Sequence, residues 1–121
     1  MSSRVVHFDM TAEDPERMTA FYSQVFGWTF QKWDGPMEYW MATTGDGTEG
    51  INGGVSRRDP GTPAQTVNTI AVDSIDDSIA AIKAAGGQIT MDKHEIPGVG
   101  VFAQALDTEG NQIGVIQMTH G

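Results

Sequence analysis

The chain has 121 residues, no cysteine, and 16 acidic against 7 basic residues, for a formal net charge of −9. That length makes a single domain with its own core, the lack of cysteine excludes disulfides, thiolate metal sites and cysteine nucleophiles, and the acidic balance argues against nucleic acid and anionic membranes as partners. No stretch approaches the roughly 18 apolar residues of a membrane span and no signal-length apolar run opens the sequence, so a cytoplasmic protein is expected.

Arg4–Met10 alternates, with Val6, Phe8 and Met10 on one face and Val5, His7 and Asp9 on the other, which predicts a half-buried strand. Asp14, Pro15 and Glu16 then supply a helix cap, a first-turn proline and an acid at the positive helix end. Met18, Phe21, Tyr22, Val25 and Phe26 give that helix one apolar stripe, and Gly27 ends it. Strand-like runs follow at Trp28–Trp33, Met37–Thr43 and Gly50–Ser56, separated by Gly- and Asp-containing turns.

Arg57–Gln65 reads as a linker rich in Gly and Pro, and its Arg57-Arg58 pair reads as a solvated loop. The order then repeats. Thr66–Val72 is a strand, Ser74 with Asp77 three residues on resembles a capping box, and Ile75, Ile79 and Ile82 form the buried stripe of a second helix closed by Gly86-Gly87. Strands at Gln88–Met91, Gly98–Leu106 and Asn111–Met118 complete it. His7 precedes Gly27 by 20 residues and Val67 precedes Gly87 by 20, so the chain holds one βαβββ unit twice. The expected fold class is α+β: a single domain over 1–121 of two tandem modules, about 3–56 and 66–119, joined by 57–65. The modules are expected to form a curved mixed sheet around a cleft with the helices on the outer face. Met18, Phe21, Val25, Ile75, Ile79 and Ile82 are expected to be buried against it.

The segments VVHFDM, DPERMTAFYSQVFGW, TIAVDSIDDSIAAIKAAGG and DTEGNQIGVIQ, in this order and spacing, resemble the vicinal oxygen chelate superfamily of glyoxalases, bleomycin-resistance proteins and extradiol dioxygenases. GPMEYW, GINGGV and IPGVGVFAQALDTEGN further resemble its single-domain glyoxalase-like subgroup. In metal-dependent members, the resemblance implies, four inward-facing His or Glu side chains hold one divalent ion and leave positions for substrate oxygens. Those positions fall on His7, Asn52, Val67 and Gly114. Only His7 is a strong ligand, so no metal and no cofactor is expected. Pairing of two-module members implies a homodimer.

His7 is either a strand histidine satisfied by a neighbour such as Asp9 or, as the resemblance implies, a ligand-contacting or acid–base group. Asp9 itself reads more simply as a solvated or turn-bonded carboxylate. Trp33, Tyr39, Trp40 and Phe102 read as core or interface aromatics, with a pocket wall as the functional alternative for Trp33, Tyr39 and Phe102. Asn52 sits among glycines and reads first as a backbone feature. Gly53-Gly54 precedes no helix and reads as a bulge or a close-packing site. His94 and Glu95 fall in a polar connection, and His120 is next to the end of the sequence.

Two functions follow. The first is a small-molecule-binding protein with a degenerate metal site, its organic ligand in the cleft between modules, contacted by His7, Asn52, Val67, Gly114, Trp33, Tyr39 and Phe102. The second is a metal-independent lyase, isomerase or dioxygenase-like enzyme using His7 as acid or base.

Overall fold

A computed structural model describes residues 3–119, so the expectation for His120 lies outside the described residues. In chain order the elements are β1 (Val5–Ala12), α1 (Pro15–Phe26), β2 (Thr29–Lys32), β3 (Tyr39–Thr43), β4 (Asn52–Arg57), β5 (Thr66–Ala71), α2 (Ile75–Ala84), β6 (Gln88–Ile96), β7 (Gly100–Leu106) and β8 (Gln112–Met118). The described residues divide into two compact units, one from His7 to Thr66 and the other from Val67 to Thr119 together with residues 3–6. Each is a βαβββ module, and the fold class is α+β as expected.

In the first module the strands lie in the order β2-β3-β4-β1. β1 runs parallel to β4, with His7 opposite Asn52 and Asp9 opposite Gly54, and β3 runs antiparallel to both β2 and β4. The second module repeats this as β5-β8-β7-β6, with β5 parallel to β8 and β7 antiparallel to its two neighbours. The parallel pair arises because a helix and two strands separate its members in sequence, which returns the chain in the starting direction.

Both helices begin where the sequence says they should. Asp14 accepts from the Arg17 N–H at 3.1 Å, with Pro15 in the first turn, and Ser74 accepts from the Asp77 N–H at 3.2 Å. Gly27 caps α1 in the left-handed conformation at φ 75°, where a Cβ would be strained. Each helix covers one face of its own module. Met10, Ala12, Trp40 and Val55 form the first core with Phe8, Met18, Tyr22, Trp28 and Phe30 around them. Ile75, Ala103 and Val115 form the second, surrounded by Ile70, Val72, Ile79, Ile82 and Val101.

The stripe expected on α1 is buried only in part. Phe21 is 52% exposed and Val25 55%, and Phe26 is exposed as well. The helix docks through Pro15, Met18 and Tyr22, while Trp28 folds back beyond the cap and stacks on Tyr22 at 4.8 Å. The Trp28 indole also meets Phe8 at 5.8 Å, so it takes the place against the sheet that Val25 and Phe26 would otherwise fill. A second difference concerns His94 and Glu95. They lie on β6, which runs on from Met91 to Ile96 through two register shifts, where a polar connection was expected. The bulges that accommodate these polar residues break the strict alternation by which a strand is recognised in sequence.

The packing difference is measurable by denaturant unfolding. Val55→Ala, in a site with no solvent exposure, is expected to cost about 2 kcal/mol from two lost methyl groups and the cavity they leave. Val25→Gln is expected to change stability by no more than about 0.5 kcal/mol.

Candidate functional site

Alternation along β1 sends Phe8, Met10 and Ala12 into the helix-covered core and His7, Asp9 and Thr11 to the opposite face. Register carries that face across the module. Asn52 lies opposite His7, Gly54 opposite Asp9, Ser56 opposite Thr11 and Tyr39 opposite Ser56. Trp33 continues the β2–β3 pairing by donating its N–H to the Tyr39 carbonyl at 2.7 Å, which sets it beside Tyr39 on the same side. Met41, two residues from Tyr39, shares the face, and both Trp33 and Met41 are exposed.

Tyr39 binds the face together. Its hydroxyl donates to Asp9 Oδ1 at 2.7 Å and lies 2.9 Å from His7 Nε2, which is itself 3.3 Å from the same Asp9 oxygen. A phenol carries one proton, and here it points to the carboxylate, so the Tyr39 oxygen accepts from His7 Nε2–H. The network thereby assigns the neutral imidazole as the Nε2–H tautomer, with Nδ1 the basic nitrogen. To reach β1 from β3 the Tyr39 side chain must cross β4, and it does so over Gly54. A Cβ at Gly54 would collide with the Tyr39 hydroxyl and ring. Burial, and next the hydrogen bond to Asp9, raise the Tyr39 phenol well above its ordinary range, because ionisation would put a second negative charge against the carboxylate.

The remaining sequence-derived residues fall out as follows. Asn52 is exposed, and its Oδ1 accepts from the Thr44 N–H at 2.9 Å, bracing the turn between β3 and β4. Trp40 is core. Val67 and Gly114 lie on the adjacent parallel strands β5 and β8 of the second module, both buried, with Gly114 opposite Thr69 and covered by Phe102. Arg57 is held by Glu38 at 2.8 Å, with its N–H groups also reaching the Glu13 carbonyl, rather than simply solvated. Asp9 was expected to be solvated or turn-bonded rather than to orient His7, and instead it accepts from the Tyr39 hydroxyl and lies 3.3 Å from His7 Nε2. Asp9, read from the sequence as a possible neighbour of His7, and Gly54, read as a bulge or close-packing site, both belong to this network, with Gly54 the close-packing point beneath Tyr39. The available signal was Asp9 two residues from His7 on one strand face, which shows that the two can meet but not which third group joins them.

The donor set does not fit a resident divalent ion. Of the four positions that the resemblance marks, Val67 and Gly114 carry no donor atom, the Asn52 oxygen is engaged, and His7 Nε2 is turned to Tyr39 and Asp9. Among the described residues no three His, Asp or Glu side chains gather where they could hold a metal.

Residues 4–115 match the family model of the Glyoxalase/Bleomycin resistance protein/Dioxygenase superfamily, and the chain belongs to that superfamily. Two mycobacterial proteins named "Putative glyoxylase CFP32", from Mycobacterium bovis and Mycobacterium tuberculosis, are each 31% identical to it over 111 residues. The match takes in 90% of this chain and 42% of theirs, so the chain spans less than half the length of these relatives. Among solved structures, the hypothetical protein BH1468 from Bacillus halodurans superposes with a TM-score of 0.77 at 12% identity, covering 100% of this chain and 98% of that one. Methylmalonyl-CoA epimerase from Mycobacterium tuberculosis gives 0.72 at 10% identity, covering 99% and 93%. Likenesses at such low identity establish the fold.

The Tyr39 phenol yields a pH test. The folded state holds this proton more tightly than the unfolded chain does, so the contribution is complete below the unfolded value of about 10 and is lost as pH rises beyond it. Wild-type stability is therefore expected to fall from about pH 10 upward, more steeply than that of Tyr39→Phe, in parallel denaturant titrations. Gly54→Ala is expected to expel the ring and return the phenol toward its ordinary range, as read by ultraviolet absorbance against pH. Matching curves for wild type and both variants would refute the network.

Proposed function

We propose that the chain is a small-molecule-binding protein that works without a resident metal, taking its ligand on the sheet face of the first module that carries His7, Tyr39 and Asp9. The observation behind this reading is the three-membered hydrogen-bond chain. It presets the imidazole in one orientation and one tautomer, so a ligand group that hydrogen-bonds to Nδ1 does not have to order the ring on arrival. Trp33 and Met41, exposed beside Tyr39, offer a flat aromatic surface and a polarisable thioether to an apolar ligand body. A polar anchor flanked by apolar contact area suits a partly apolar organic molecule better than a polyanion, the more so in a chain of net charge −9.

The same geometry supports a second reading, proton transfer. An imidazole whose Nε2–H is held by Tyr39 and whose positive form would lie against the Asp9 carboxylate is arranged to take a proton at Nδ1 from an acidic C–H and return it. The epimerases among the structural neighbours act, by name, on a CoA ester, and a carbon next to a thioester carbonyl is acidic in this sense. Under this reading Asp9 and Tyr39 position His7.

Both readings are tested by one sequence of measurements. A thermal-shift screen of the whole protein against metabolites and antibiotics should yield hits, since a ligand at 100 times its Kd adds about 2.7 kcal/mol. Calorimetry on any hit should then show His7→Ala and Tyr39→Phe weakening it by about 1–2 kcal/mol, or roughly 5- to 30-fold. A hit unaffected by both substitutions would place binding elsewhere. Loss of an α-proton from a bound carbonyl compound in deuterated buffer, dependent on His7, would select the proton-transfer reading.

A further inference from the structure

The second module contains a feature that the His7 face does not explain. Thr69, on β5, is only 3% exposed, and its Oγ1 is the buried side-chain oxygen left without a hydrogen-bond partner among the described residues. A valine would have the same shape and the same preference for a strand, without a hydroxyl to desolvate. An unpaired buried hydroxyl is costly and rare.

Thr69 lies opposite Gly114 of β8, and Gly114 lies opposite Gln104 of β7. The space above Gly114, where a side chain would stand, is approached from one side by the Thr69 hydroxyl and from the other by the edge of the Phe102 ring. A Cβ there would be 2.9 Å from Thr69 Oγ1 and 2.9 Å from Phe102 Cε1. Phe102 is half-buried, and its other neighbour is the exposed His94, edge-on at 6.0 Å. The ring thus lies as a cover over a notch floored by a glycine and ended by a free hydroxyl. The Gln104 side-chain oxygen is taken by Gln112 Nε2 at 2.8 Å, which leaves the Gln104 amide N–H groups as further donors beside the notch. The strands β5 (TVNTIA), β7 (GVFAQAL) and β8 (QIGVIQM) carry no charged side chain at all.

We propose that this notch is a ligand subsite for a neutral carbonyl group, with Thr69 Oγ1 as its hydrogen-bond donor and Phe102 as a side chain that swings aside to admit it. A carboxylate or phosphate would have to be desolvated among uncharged strands with no cation to meet it. A ketone, amide or thioester oxygen needs only one or two donors, which Thr69 and Gln104 supply. Gly114 is then the residue that gives the notch its depth.

The experiment uses the whole protein and three simple probes: acetophenone, ethylbenzene as its oxygen-free counterpart, and benzoate as the charged one. Thr69 and Gly114 amide signals are followed by NMR titration in wild type, Thr69→Val and Phe102→Ala. Acetophenone is expected to shift both signals saturably, and to bind roughly fivefold more tightly than ethylbenzene, as one net hydrogen bond would give. Benzoate is expected to bind more weakly than either. Phe102→Ala should bind acetophenone at least as well as wild type. Thr69→Val, freed of the orphan hydroxyl, should melt roughly 3–6 °C higher and should lose the preference for acetophenone. The proposal is overturned if acetophenone and ethylbenzene bind alike in both wild type and Phe102→Ala, or if Thr69→Val keeps the preference. It is equally overturned if Thr69→Val melts higher and no probe binds, since the hydroxyl would then be a structural cost alone. The imidazole signals of His7 report separately on the first module, so failure here is distinguishable from failure of the reading given above.

Discussion

One helix for four strands is the constraint on which the rest of this structure depends. A sheet has two faces, and each module has a single helix to cover one of them. Alternation along the strands therefore divides every strand into a set of residues committed to the core and a set that is not. On β1 the division is Phe8, Met10 and Ala12 against His7, Asp9 and Thr11. The first set is fixed by packing. The second is free to vary in chemistry without loss of the fold, and it is there that the ionisable and hydrogen-bonding groups are found.

Glycine turns that freedom into geometry. Tyr39 and Asp9 sit on strands that are not neighbours, and their side chains meet only because β4 presents Gly54 between them. The same device recurs in the second module, where Gly114 on β8 lets Phe102 from β7 and Thr69 from β5 approach one point. In each case the strand between two side chains that approach one another has given up its own. A glycine inside a strand costs packing and backbone entropy, so its presence at these two positions marks where backbone must lie beneath another residue's side chain.

The fold was largely legible in the sequence because its signals are local. Caps at Asp14 and Ser74 and the stop at Gly27 act within a few residues of where they are read, and the 20-residue spacing of His7 and Val67 from the helix-ending glycines repeats within one chain. The error on α1 arose where a residue outside the helical period decided the outcome. Periodicity alone assigned Phe21 and Val25 to the core, but Trp28 returned from beyond the cap and claimed the contact. The site was legible in part. His7 and Tyr39 were visible as candidates, whereas their union through Asp9 depends on strand order and on the missing side chain at Gly54, neither of which a residue pattern encodes. The orphan hydroxyl of Thr69 could not be seen at all, since a threonine on a strand has the same signature whether its oxygen is paired or not.

The two modules share one fold and differ in the chemistry each exposes beside its parallel strand pair. At the start of β1 the first module places His7 and Asp9, and Tyr39 joins them, so its free face carries groups that gain and lose protons. At the matching place on β5 the second module places Val67 and Thr69, and its three strands nearest that point are uncharged throughout. Loss of a metal-binding pattern would by itself leave two inert faces. Here one face carries a hydrogen-bond network whose members satisfy one another, and the other an unpaired buried hydroxyl close to the Phe102 ring. The hydroxyl of Thr69, at a buried position that the shape of a valine would fill equally well, is a cost that only the second module carries.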